Sequence, residues 1–314
     1  MVKRRNIMEY NYKRYEERTA LEQYKAILRD IMENGIDNPC AMVDNITGAP
    51  LYTRERLGIV SRYNILEEGA PIITERDISA FFKSAIGELL GFINGAHTDE
   101  QLREFGCKFW GPWVTEEKCK KRGLEPGDIG PGSYGSAFHD FPTPDGRSFN
   151  QFKEVFEQMK QRPELKAHFI SPWVPFYTIR NKEGEFDQKV TVVPCHGWIH
   201  FNIYGNRISM VMIQRSCDVV VGLPSNLAQY GGLLLAAADV LDLIPWEFVH
   251  VISNAHIYSN SMDVAEELLS RPTNPFPTLK LVNHHDSIFD YRKDDFVLED
   301  YHPQEKIKGI RLGV

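Results

Sequence analysis

The apolar positions of this chain follow two periods, and the sharper one lies past its middle. From Trp198 to Tyr204 large apolar residues alternate with polar ones, the two-residue period of a half-buried strand. Gly205-Asn206 gives a two-residue hairpin signal, and Arg207 to Gln214 reads as the return strand. Pairing Tyr204 with Arg207 carries Cys195 opposite Ser216 and His196 opposite Arg215. A slip of one residue would change which side chains share a face. In either register a thiol, an imidazole, a guanidinium and a hydroxyl gather at the open end of one hairpin.

The second period is helical. Thr19-Ala20-Leu21-Glu22 reads as a capping box, and Leu21, Tyr24, Leu28 and Ile31 follow at helical spacing up to Gly35. Asp44 to Gly48 reads as a loop from helix to sheet, before two short strands around Leu51–Tyr52 and Gly58–Tyr63. Ile78 to Asn94 forms a second helix ended by Gly95, with Ile78, Phe81, Phe82, Ala85, Leu89, Phe92 and Ile93 facing inward. Glu88 falls on that inward face, where a carboxylate needs partners or a raised pKa. Phe149 to Gln161 reads as a surface helix, and Tyr177 to Val190 as an exposed hairpin or loop. Ser225 to Ile244 is apolar nearly all round, so it reads as a central buried helix ended by Pro245. Phe248 to Ile252 predicts a strand entering a turn at His256–Tyr258; Met262 to Ser270 a helix; Leu279 to Leu281 a short strand. With no repeat or linker, the pattern predicts one α+β domain over 19–314 behind a flexible basic arm, 1–18.

Composition narrows the classes. The chain has 314 residues, 42% of them hydrophobic, enough for a sizeable core, and a net charge of −7. That charge predicts no general nucleic-acid surface, while a local basic pocket can still take a small anion. Five cysteines without CxxC spacing argue against a disulfide framework or a zinc cluster and for a reducing compartment, so no metal is expected and the location expected is cytoplasmic. The basic start has no apolar run after it, which predicts neither a signal peptide nor a membrane span.

The candidate chemistry lies at the hairpin mouth. The thiolate is the reactive form of cysteine, and Arg215 can both favour it and bind a phosphate or carboxylate. A lone Cys195 in an apolar strand otherwise reads as a small buried hydrophobe. Trp110 and Trp113, three apart, read as core packing, and Asn226 alone reads as a helix N-cap.

Pro194-Cys195-His196, Gln214-Arg215-Ser216-Cys217-Asp218, Gly222-Leu223-Pro224-Ser225-Asn226, Ala255-His256-Ile257-Tyr258-Ser259-Asn260 and Phe289-Asp290-Tyr291 occur in this order. Together they resemble the thymidylate synthase family, over nearly the whole chain from Ala20 onward. The resemblance implies a mixed sheet with helices on one side, and a homodimer packed sheet to sheet. It implies one-carbon transfer from methylenetetrahydrofolate to C5 of a pyrimidine nucleotide, through a Cys195 adduct at C6. Glu88, Tyr134 in its Gly-rich loop, and His196 then become candidates for moving the C5 proton. Arg215 and Ser216 would bind the nucleotide, Asn226 its base, and His256 and Tyr258 its sugar. Trp110, Trp113, Asp218 and Gly222 would line the folate site. The resemblance fails at the phosphate. Lys166-Ala167 stands where the family has two arginines that reach into the neighbouring subunit, with Lys166 a partial substitute in binding the phosphate, and Asn45 stands for another; Arg54, Arg56 or Arg76 are the possible compensations. Three readings follow: a thymidylate synthase proper, a hydroxymethylase of an unusual pyrimidine nucleotide, and a non-catalytic nucleotide- or RNA-binding descendant.

Overall fold

A six-stranded mixed sheet carries the molecule, and the computed structural model describes it through residues 10–179 and 188–314. Across the sheet the strands run Ile36–Val43, Pro50–Asn64, Ile244–Tyr258, Arg207–Asp218, Trp198–Tyr204 and Phe169–Ile170. All neighbours are antiparallel except Arg207–Asp218 beside Ile244–Tyr258. That parallel pair needs a crossover, which the Gly222–Leu241 helix supplies.

Alternation decides which face the helices cover. Ile199, Phe201, Ile208, Met210, Met212, Phe248 and Ile252 point into the core and are fully buried. Tyr204, Ile213 and Val60, one residue out of phase, are exposed on the opposite face, joined by Trp246, which the register shift at Ile208/Met210 turns out against Tyr204. Leu234, Ala237 and Ala238 of the crossover helix, and Phe82, Leu89 and Ile93 of the Ser79–Ile93 helix, fill the covered side. The result is the expected α+β domain with helices on one side of its sheet.

The hairpin pairs Tyr204 with Arg207 as expected, up to Trp198 with Ile213. Other elements differ from the sequence reading. The first helix is Gln23–Asn34, and no capping box forms at Thr19: Glu22 bonds forward to Lys25 Nζ at 3.1 Å. The two short strands around Leu51 and Gly58 are one strand, in which Gly58 at φ +74° passes without a change of register against Ile244–Tyr258. The Asp44–Gly48 loop joins two strands, not helix to sheet, because Ile36–Val43 pairs along Pro50–Glu55. The central helix ends at Leu241, where Asp242 takes φ 57°. Pro245 and the expected His256–Tyr258 turn both lie within the Ile244–Tyr258 strand. Proline has no N–H to give the ladder, and it sits beside the register shift at Ile208/Met210.

Of the basic arm, residues 1–9 lie outside the described residues, while Tyr12 O–H donates to Leu279 O at 2.6 Å and Arg18 Nη2 to Thr278 Oγ1 at 2.7 Å. The 177–190 segment lies largely outside them too; Thr178 and Val190 at its ends are buried.

Candidate active site

A cleft of about 610 Å³ opens where the hairpin leaves the ladder. Gly197 at φ +96° turns the chain there, and a Cβ at this position would meet Phe138 Cζ at 3.0 Å and Tyr230 Oη at 3.1 Å. The pairing of Cys195 with Ser216 and of His196 with Arg215 therefore does not continue as a ladder. Instead the Cys195 carbonyl accepts from both Arg215 N–H at 2.7 Å and Ser216 N–H at 3.3 Å.

The turn aims Cys195 into the cleft. Its backbone N–H donates to the Tyr134 hydroxyl oxygen at 2.6 Å, and Arg215 Nη2 lies 3.5 Å from Sγ. Burial pushes the thiol pKa up; Arg215 and then Tyr134 oppose this without reversing it. His196 is stacked on Tyr134 with centroids 4.6 Å apart, and its Nδ1 meets Tyr230 Oη at 2.7 Å. Burial lowers the His196 pKa to about 3, so the ring is neutral at pH 7. Arg215 is exposed at the rim; its Nε donates to Pro194 O at 3.2 Å, and its guanidinium faces the Trp173 ring at 5.9 Å.

Glu88 closes the far side. Trp110 Nε1–H donates to Oε1 at 2.6 Å and Gln229 Nε2 to Oε2 at 2.6 Å. Burial raises its pKa to about 7, with the Gln229 and Trp110 bonds holding it from going higher. The hydrogen bonds continue from Gln229 to Asn226 at 3.0 Å, from Asn226 to Gln214 at 2.9 Å, and from Gln214 to His250 at 2.9 Å. Gln214, Gln229, Tyr230 and His250 were not singled out from sequence. One signal was present: Gln229 falls three residues after Asn226 in an apolar helix, hence on the same face.

The remaining candidates divide. Ser216, Asp218, Gly222, Asn226, His256, Tyr258 and Trp113 line the cleft with Cys195, Glu88, Tyr134, His196 and Trp110. Asn226 is no N-cap, because the helix begins four residues earlier at Gly222. Asp218 Oδ1 accepts from Val220 and Val221 N–H, both at 3.0 Å, and steadies the turn into that helix. Its pKa is raised by burial and held down by His256. His256 Nδ1 meets Asn254 Oδ1 at 3.0 Å, and Asn254 in turn bonds Glu55 at 2.8 Å. Lys166 stands apart, its Nζ 5.3 Å from the centre of the Tyr204 ring. Arg54 and Arg56 are taken by Asp37 and Asp30, whereas Arg76 lines the cleft, as does Lys108, which sequence reasoning missed.

Asn45 has a different partner from the one its position suggested. Its Oδ1 accepts from Leu312 N–H at 2.9 Å, and its own N–H donates to Leu312 O at 3.1 Å. Val43 and Val314 exchange two further backbone bonds, so the C-terminal segment lies across the cleft with Ile310 and Leu312 in its lining. Among the described residues no group of three His, Cys, Asp or Glu side chains is placed to hold a metal, and no helix is long and apolar enough to cross a membrane. All five cysteines are free thiols. A family model described as thymidylate synthase matches residues 22–311.

Proposed function

Since the chain belongs to the thymidylate synthase family, we propose that it joins a one-carbon unit from a reduced folate to C5 of a pyrimidine nucleotide, with Cys195 as nucleophile. The observation that carries this is the meeting of Cys195, Glu88 and Asn226 in one cleft. C5 of a pyrimidine is a poor nucleophile. When Sγ bonds to C6, the C5–C6 electron pair moves toward the C4 oxygen and C5 becomes nucleophilic. Arg215, 3.5 Å from Sγ, favours the thiolate that starts this step. Glu88, with a pKa near 7, exchanges a proton at neutral pH and is the base for the C5 proton. The Tyr134 hydroxyl holds the Cys195 backbone N–H, and neutral His196 stacks against Tyr134.

Reduced folate fits the residues present. Trp110, Trp113, Phe81 and Pro112 offer flat apolar walls, and Asp218 a carboxylate for a polar ring edge. When bound, it would supply the one-carbon unit and, for a methyl product, the hydride that completes it; water in place of that hydride would give hydroxymethyl. Ile310 and Leu312 of the C-terminal segment line the cleft; apolar groups closing over a bound ligand would keep water out, which favours methyl. The hydroxymethyl reading draws on Ser225, a hydroxyl in the lining. A uracil-type base suits Asn226, whose amide offers one donor and one acceptor.

Exposed Tyr204, Ile213, Trp246 and Val60 on the open face of the sheet support a homodimer, which sedimentation at micromolar concentration tests: monomer alone refutes it. Five free thiols suit a reducing, cytoplasmic location. The activity is tested by offering dUMP, UMP, dCMP and CMP with methylenetetrahydrofolate and identifying the product. A 5-fluoropyrimidine nucleotide with folate should give a covalent adduct at Cys195; an adduct at Cys217, or no turnover of any nucleotide, refutes the reading.

A further inference from the structure

Between the base-facing amide of Asn226 and the carboxylate of Glu88 stands Gln229, 1% exposed. Its Nε2 donates to the Ala85 carbonyl at 2.9 Å and to Glu88 Oε2 at 2.6 Å. A backbone carbonyl can only accept, so the nitrogen end of this amide must face Ala85. Its oxygen end therefore faces Asn226, which must answer with its own nitrogen, Nδ2, at 3.0 Å.

The other side of Asn226 obeys the same rule. Gln214 Nε2 donates to the Ser216 carbonyl at 3.1 Å and to Asn226 Oδ1 at 2.9 Å. Gln214 Oε1 is left to accept from His250 Nε2–H at 2.9 Å. His250 is fully buried beside His196, and burial lowers its pKa to about 3, so it is neutral with its proton on Nε2. Two main-chain carbonyls, of Ala85 and Ser216, thus fix three side-chain amides. Reversing Asn226 would set nitrogen against nitrogen toward Gln214 and oxygen against oxygen toward Gln229.

The remaining N–H and lone pair of Asn226 consequently face the cleft in one fixed order. Uracil presents O4 and N3–H, and cytosine presents an amino group and N3, the reverse order of acceptor and donor. An amide free to turn over serves both; a locked amide serves one. We propose that Gln229 is a specificity-determining positioning residue, holding the Asn226 amide in one orientation so that the cleft accepts one class of pyrimidine base. This rests on the reading that the cleft binds a pyrimidine nucleotide.

The test is equilibrium binding of UMP, CMP, dUMP and dCMP by calorimetry, without folate, to wild type, Gln229→Met and Gln229→Glu. Methionine keeps the length and removes all three bonds. Glutamate keeps an acceptor toward Asn226 and carries a proton on the oxygen that faces Ala85 O and Glu88 Oε2. Wild type should prefer one base. Gln229→Met should reduce that preference roughly tenfold, about one hydrogen bond's worth, and Gln229→Glu should keep it. A preference unchanged in Gln229→Met, with all four nucleotides weakened alike, overturns the inference and leaves the nucleotide site standing. Loss of preference in Gln229→Glu overturns it as well, and decides the matter should the methionine variant not fold. Wild type that binds none of the four removes the nucleotide site and the inference together.

Discussion

The two ends of the cleft are built differently. At the base end, every member from Trp110 through Glu88, Gln229, Asn226 and Gln214 to His250 is hydrogen-bonded to the next, and all are buried. At the rim Arg215 is exposed and spends its donors on Val193 and Pro194 carbonyls. Asn45 is committed to Leu312, and Lys166 lies against Tyr204. A buried network must be satisfied within the fold, because a half-satisfied one costs more than an apolar core. An anion site at a rim is under no such demand, and its charges can come from the ligand's surroundings or from a second copy of the chain. The base end is therefore preorganised, while the anion end is left open to completion.

Four variants sharpen this contrast. The largest effect belongs to the reacting atom at the junction of the two ends. Cys195→Ser should lower turnover by about 10³-fold or more while nucleotide binding persists, read by product formation against calorimetric affinity. Full activity in the serine variant would remove Cys195 from the mechanism.

Next comes Glu88→Gln, expected to cost about 10²- to 10⁴-fold in kcat with binding little changed. In wild type the rate should rise with pH through about 7 as Glu88 ionises. Stability should move the opposite way. The folded-state pKa of about 7 lies above the ordinary 4.5, so the native state holds a proton that the unfolded state has released. Stability is then fully present below about pH 4.5 and falls as pH rises toward 7, by on the order of 3 kcal/mol at most. Denaturant melts from pH 4 to 8 should show this slope in wild type and a flatter one in Glu88→Gln.

Arg215→Ala acts at the rim. It should weaken all four nucleotides by roughly 10- to 100-fold, the worth of a charged hydrogen bond, without altering the ratio between bases. It should also raise the Cys195 pKa further, since Arg215 is the largest influence lowering it; the pH dependence of thiol alkylation reads this directly. The smallest effect belongs to Lys166→Arg with Ala167→Arg. In a dimer that shares its sites, the pair should change kcat/KM ratios among dUMP, UMP, dCMP and CMP by several-fold, a fraction of one such bond each. Unchanged ratios would mean that the rim carries no specificity.

Sequence pattern exposed the elements whose periodicity is set by burial. The hairpin at Gly205 has one buried face, so its apolar residues recur at 2; the Ser79–Ile93 helix is marked by its apolar content, being buried all round from Ala85 to Ile93. The Ile36–Val43 strand was hidden because it is an exposed edge carrying Pro39, with little apolar demand to mark it. Thr53 to Arg56 concealed the continuity of their strand for a related reason: Arg54 and Arg56 turn outward to Asp37 and Asp30. Glu88 was legible as a carboxylate on an apolar face. The amide chain was not, because its members are brought together only by the crossover helix resting on the sheet.

The locked amides also constrain how this cleft can change by mutation. Replacing Asn226 by aspartate would set a carboxylate oxygen against Gln229 Oε1, which is held there by Ala85. Relief requires a proton on the new carboxylate or a second substitution at Gln229. Residues 226 and 229 are thus epistatic, and a switch of base that begins at Asn226 crosses an intermediate poorer at both. The route of least loss alters Gln229 first, passing through a tolerant ancestor before a newly selective one.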